Sequence, residues 1–127
     1  MIKTEPIIAV EDVEKSSKWY HTLLNCSSGH GGSTFEILLN ELGEQILSLH
    51  KWGAHDHPTL SNPKIKVGNG LILYFVVDDI DLIWKNATEL NAIIFDMPHL
   101  NTNSGRREFS LQDPNGYYLS ICSNNSK

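Results

Sequence analysis

Four side chains able to bind a metal or move a proton crowd into eight residues: His50, His55, Asp56 and His57. A neutral imidazole nitrogen is a good ligand for borderline divalent ions, and a His-x-His pair on a loop can hold one. Solvated loop histidines are the commoner reading of such a cluster. Ser48 stands two residues before His50. The pair has the types of a nucleophile and its base, but residues i and i+2 of a strand point in parallel, and no third group orients the base. Glu5, Glu36 and Glu108 supply carboxylates. Together with His50 they make an alternative oxygen and nitrogen set for Zn, Ni, Mn or Fe. Glu36 and Glu108 have an equally good structural role as ion-pair partners of Arg106, Arg107 or lysines. Gly29-His30-Gly31-Gly32 lacks the Lys of a phosphate-binding loop.

The elements that must position these groups are written in the chain twice. Val10-Glu11-Asp12-Val13-Glu14 returns as Val77-Asp78-Asp79-Ile80-Asp81, and Leu47-Ser48-Leu49 returns as Leu119-Ser120-Ile121. Between them Glu36-Ile37-Leu38-Leu39 answers Glu108-Phe109-Ser110-Leu111. An internal repeat means two copies of one supersecondary unit. Each copy opens with a short strand, Pro6 to Val10 or Leu71 to Val77. A helix follows, N-capped by Asp12 or Asp79, whose carboxylate accepts first-turn N–H groups. Ile80, Ile83, Trp84, Ala87 and Leu90 form one apolar stripe on the second helix, and Val13, Tyr20, Leu23 and Leu24 a weaker one on the first. Three strands then follow in each copy: 26–31, 34–40 and 44–51, then 92–97, 106–112 and 117–122. Asp113-Pro114-Asn115-Gly116 is a strong hairpin turn. Loops are expected at 52–69 and 98–105.

This predicts an α+β fold of two β-α-β-β-β modules in a single domain over 1–127, with module 1 at about 5–52, a linker at about 53–69 and module 2 at about 70–122. The sheet is expected to be curved and mixed, an incomplete barrel around a cavity, with the helices outside. The 127 residues can bury a core of ordinary size, at 40% apolar and 20% charged content. A net charge of −5 without a Lys/Arg-rich run argues against nucleic acid and anionic membranes as partners. The absence of a long apolar run and a lone pair of cysteines, Cys26 and Cys122, predict a reduced cytoplasmic setting.

The doubled unit, with Arg106-Arg107-Glu108-Phe109-Ser110-Leu111-Gln112-Asp113-Pro114-Asn115-Gly116-Tyr117 near its end, resembles the vicinal oxygen chelate superfamily. That group includes glyoxalase I, bleomycin-resistance proteins, fosfomycin-resistance enzymes and extradiol dioxygenases. The resemblance implies a homodimer and, in the metal enzymes, four ligands on the first and last strands of the two modules. Those positions fall here on Glu5, Ile72, Ser48 and Ser120. Only Glu5 is a usual ligand, since an isoleucine has no lone pair and a serine hydroxyl is a poor ligand for divalent ions. The family's metal site is therefore expected to be lost.

Strand alternation assigns the faces. Leu47, Leu49, Leu71, Leu73, Phe75, Val77, Phe109, Leu111, Leu119 and Ile121 are expected in the core. Glu5, Ile7, Glu36, Leu38, Ser48, His50, Ile72, Tyr74, Glu108, Ser110, Tyr118 and Ser120 are expected on the cavity wall, with Trp52 at its rim. Aromatic faces, hydroxyls and carboxylates suit a small organic ligand with an aromatic or cationic part. The expected function is metal-independent small-molecule binding, sequestering a toxic compound or antibiotic, through Ser48, His50, Trp52, Tyr74, Glu108, Tyr118 and Ser120. The alternative is a superfamily lyase, isomerase or dioxygenase with a relocated divalent-metal site.

Overall fold

The computed structural model describes residues 4–55, 57–69 and 71–124, with the side chain of His30 outside the description. The chain divides into two compact units between Lys66 and Val67. Unit 1 runs β1 (Ile7–Val10), α1 (Val13–Leu24), β2 (Ser27–His30), β3 (Phe35–Leu39) and β4 (Gln45–Lys51), then a short 3-10 turn at Pro58–Leu60. Unit 2 runs β5 (Leu73–Val77), α2 (Ile80–Glu89), β6 (Ile93–Asn101), β7 (Arg106–Gln112) and β8 (Tyr118–Ser123). Each unit holds one four-stranded mixed sheet, in the order β1-β4-β3-β2 and β5-β8-β7-β6. The first strand pairs parallel with the last, and the other pairs are antiparallel. The α+β class and the doubled β-α-β-β-β order are those the repeat predicts.

The caps form as the acidic turns require. The Asp12 carboxylate accepts from Lys15 N–H at 3.0 Å and that of Asp79 from Leu82 N–H at 3.1 Å. Asn25 ends α1 in the left-handed conformation, with φ 56° and its N–H on His21 O. Val13, Tyr20 and Leu23 of α1 are buried, as are Ile80, Ile83 and Ala87 of α2. The α1 helix covers β3 and β4, and α2 covers β7 and β8. Trp84 meets Phe109 edge to face at 5.1 Å between ring centroids, which adds to area burial. Leu47, Leu49, Leu73, Phe75, Phe109, Leu111, Leu119 and Ile121 are core residues, as strand alternation predicts.

Three expectations change. Leu71 precedes β5 and is exposed rather than core. The loop expected at 98–105 shrinks, because β6 continues through Pro98 to Asn101. Pro98 lies inside the register shift between Asp96 and His99 of the edge strand, where no ladder N–H is needed. The third correction concerns β3. Glu36 pairs with Leu49 and Leu38 with Leu47, whereas Phe109 pairs with Ile121 and Leu111 with Leu119. Paired residues of antiparallel strands share a face, so Glu36 and Leu38 lie on the helix side with Leu49 and Leu47. The structural counterpart of Glu36 is therefore Phe109, not Glu108. A single extra residue in the spacing of β3 and β4, relative to β7 and β8, flips every side chain of β3.

The hairpin turns use the expected chemistry. The buried Asp113 side chain accepts from Asn115 N–H at 2.9 Å and Tyr117 N–H at 2.8 Å. Gly116, at φ +97°, adopts a backbone that other residues resist. In unit 1, Asn40 Oδ1 accepts from the Leu42 and Glu44 N–H groups.

Candidate functional site

In unit 1 the face opposite α1 carries Ile7 of β1, Ser48 and His50 of β4, and Ile37 and Phe35 of β3, joined by the pairs Ile7–Ser48, Ile37–Ser48 and Phe35–His50. His50 is almost wholly buried, at 2% exposure. Its Nδ1 lies 2.8 Å from Lys51 O, so that nitrogen donates its proton there. That tautomer leaves the lone pair on Nε2, which lies 2.7 Å from Nδ1 of His55. His57 completes a cluster with one ligand atom from each imidazole, all within 4.8 Å of one another. Phe35 closes one side, its ring centroid 6.1 Å from that of His50.

The loop after β4 is built to fold back onto His50. Trp52 N–H donates to Val10 O at 3.2 Å, and Gly53 then turns at φ +70°. Gly53 N–H donates to Leu60 O at 2.8 Å, closing 53–60 into a ring. Inside it, His57 N–H donates to His55 O at 2.9 Å. Trp52, expected at a rim, is half-buried at this turn. Asp56 lies outside the described residues.

Glu36 sits on the opposite side of this sheet from His50 and is buried. Its Oε1 accepts from Ser28 Oγ at 2.8 Å, and Ser28 Oγ is 3.0 Å from His21 Nε2. Its Oε2 has no hydrogen-bond partner among the described residues. Burial, with a smaller contribution from Glu36, pushes the nearby Cys26 thiol up to about 11 against a backbone hydrogen bond that lowers it. Glu5 is exposed and lines a shallow depression with Thr4, Asn40, Glu44 and Gln45. Of the alternative metal set of Glu5, His50, Glu36 and Glu108, Glu36 and His50 therefore lie on opposite faces of the unit 1 sheet.

In unit 2 the face opposite α2 carries Tyr74 beside Ser120, Ser110 across from Ser120, and Glu108 across from Cys122. Tyr118 stacks on Phe95 at 5.3 Å with 10° between the planes. Tyr74 is 54% exposed and Phe95 47%, whereas Ser110 and Ser120 on the same face are buried. Ser110 Oγ donates to Asp96 Oδ2 at 3.3 Å, and Glu108 Oε1 accepts from Asn101 Nδ2 at 3.0 Å. Arg106 reaches Cys122 Sγ at 3.8 Å. The face therefore offers aromatic planes, hydroxyls and carboxylates. Tyr74, Glu108, Tyr118 and Ser120 share this sheet face, while Ser48, His50 and Trp52 belong to unit 1. Phe95 and Asp96 escape a reading of alternation because a register shift between Ile94 and Asp96 breaks the period of two.

The four positions that the sequence resemblance assigns to metal ligands hold residues that do not fit a divalent ion. Ile72 is apolar, Ser48 and Ser120 are buried hydroxyls, and Glu5 is exposed two residues before β1. Among the described residues, no helix is long and apolar enough to cross a membrane.

No protein-family model matches the chain, and no curated protein matches it. Solved structures do. TioX from Micromonospora sp. ML1 is 13% identical with a TM-score of 0.73, covering 97% of this chain and 100% of its own. The fosfomycin resistance protein FosX from Listeria monocytogenes is 12% identical with a TM-score of 0.70, covering 98% and 96%. Lactoylglutathione lyase from Agrobacterium tumefaciens is 15% identical with a TM-score of 0.70, covering 97% and 93%. Agreement over almost the full length at such low identity is agreement of fold. The chain has the two-module fold of the vicinal oxygen chelate superfamily.

Proposed function

We propose that the protein binds a small organic molecule with an aromatic or cationic part, without using a metal at the superfamily's usual positions. The observation that carries this reading is the stack of exposed Phe95 on half-buried Tyr118, on the sheet face that also carries exposed Tyr74 and buried Ser110 and Ser120. Large aromatic side chains left open to solvent on a face with buried hydroxyls are what a ligand face needs: apolar area to cover, and polar groups that fix orientation. Asp96 and Glu108 outnumber Arg106 on this face, which favours a cationic group near the rings. Sequestration of a toxic compound by a homodimer is the physiological form of this reading. FosX, a resistance protein by name, shares the fold, and so does a lyase. The test is a thermal-shift screen of aromatic cations on chelator-treated protein. Saturable stabilisation that is lost in Tyr118→Ala supports the reading. Stabilisation by anionic compounds alone, or by none, contradicts it.

A second reading, an enzyme with a relocated metal site, rests on the three clustered histidines of unit 1.

A further inference from the structure

We infer that His50, His55 and His57 form a binding site for a borderline divalent transition ion of the zinc, cobalt or nickel class. The inference stands on unit 1 alone and does not depend on ligand binding at the aromatic face of unit 2.

Three features of the cluster go beyond chance proximity. First, His50 is fixed. It is buried on β4, and its Nδ1–H is tied to Lys51 O at 2.8 Å. An imidazole that donates one ring N–H to a backbone carbonyl presents the other nitrogen as a lone pair, which is how metal-bound histidines are usually oriented. Second, the other two imidazoles are carried by a loop whose backbone is closed on itself by Gly53–Leu60 and His57–His55 hydrogen bonds. A glycine at φ +70° makes the reversal that brings this loop over His50. Third, the rings meet edge to face, with centroids 4.8 Å apart for His50–His55 and 4.9 Å for His50–His57. One ring nitrogen from each of the three imidazoles lies within 4.8 Å of the others.

The geometry needs little adjustment. At Zn–N distances of about 2.0–2.1 Å, tetrahedral ligands lie about 3.4 Å apart. The His50–His55 contact at 2.7 Å must open slightly, and the widest nitrogen separation in the cluster, within 4.8 Å, must narrow. His55 and His57 are exposed, so their side chains can make both movements while His50 stays in place. An all-nitrogen set selects zinc, cobalt, nickel or copper over magnesium and calcium, which prefer oxygen. Three protein ligands leave at least one position for water or for a donor atom of a bound molecule. None of the three residues stands at a position that the sequence resemblance assigns to the superfamily's metal ligands.

The experiment is a titration of untagged, chelator-stripped protein with Co²⁺, read by visible ligand-field absorption, with Zn²⁺ displacement measured calorimetrically. One equivalent should bind. His55→Ala and His57→Ala should each weaken binding at least about tenfold, since even outer-shell losses cost that much. His50→Ala should do the same if it folds; the two exposed loop variants carry the test if it does not. His21→Ala and His99→Ala, outside the cluster, should bind like wild type. The inference is overturned by absent or non-saturable binding. Wild-type affinity in either loop variant, or equal losses in His21→Ala and His99→Ala, would also overturn it.

Discussion

Glu36→Gln separates two roles for the buried carboxylate of β3. The register places Glu36 against α1, at the position where unit 2 carries Phe109, and away from the face of Ser48 and His50. The substitution should therefore change stability and leave ligand and metal binding alone. Its sign follows from what glutamine does to each carboxylate oxygen. Glu36 Oε2 is buried with no hydrogen-bond partner among the described residues, and such an orphaned acceptor costs about 1–3 kcal/mol, more when charged. Glu36 Oε1 accepts from Ser28 Oγ at 2.8 Å, a charge-assisted bond about twice as strong as its neutral counterpart. Glutamine keeps that bond at roughly half strength, a loss of about 1 kcal/mol, and sets a buried amide N–H₂ where Oε2 stood, so the orphan's cost is exchanged rather than removed. The balance is a loss of about 1 kcal/mol, or a fall in Tm of about 3–5 °C for a chain of this size. Urea denaturation followed by circular dichroism, with Tm from calorimetry, reads the change directly. Stabilisation, or destabilisation by more than about 3 kcal/mol, at an unchanged m-value would refute the reasoning, and so would loss of binding at either face.

Two further perturbations test how the fold is held. The Cys26 thiol is raised from 9.0 to about 11, first by burial and then by Glu36, so the folded state holds its proton more tightly than the unfolded one. That contribution is fully present below about pH 9 and fades as pH climbs toward 11. Because the thiol is partly exposed, the loss should be only about 1 kcal/mol, read as a Tm decline that Cys26→Ser removes. Reaction of Cys26 with a disulfide reagent at pH 8 should be correspondingly slow. Asp113→Ala removes a buried acceptor shared by the Asn115 and Tyr117 N–H groups and should cost about 2–4 kcal/mol in chemical denaturation; a neutral result would mean the turn holds itself.

Much of the architecture was legible because it was written twice. Two Asp N-caps and the alternation on β4, β5, β7 and β8 fixed the helices and most of the core, since burial on one face forces a period of two. What alternation could not reveal was the pairing. Glu36 aligned with Glu108 by residue type, but strand register is set by the partner strand and the turn, and one residue moved Glu36 through the sheet. Phe95 and Asp96 were hidden for the same reason, behind a register shift on β6. The histidines show the other limit. Their spacing announced a cluster near the end of β4, yet whether His55 and His57 return to His50 depends on the turn at Gly53 and the loop closure at Leu60, which are three-dimensional facts.

On the proposed function, unit 2's aromatic face binds an organic ligand without help from a metal. Its most direct test is calorimetric titration of the strongest aromatic cation from the screen into wild type and Tyr118→Ala, each with and without chelator. The expected result is one Kd for wild type whether or not metal is removed, and a weakening of about tenfold in Tyr118→Ala, the scale of one lost aromatic or cation contact. Binding that vanishes with the chelator yet survives Tyr118→Ala would contradict the account and move the ligand to the histidines.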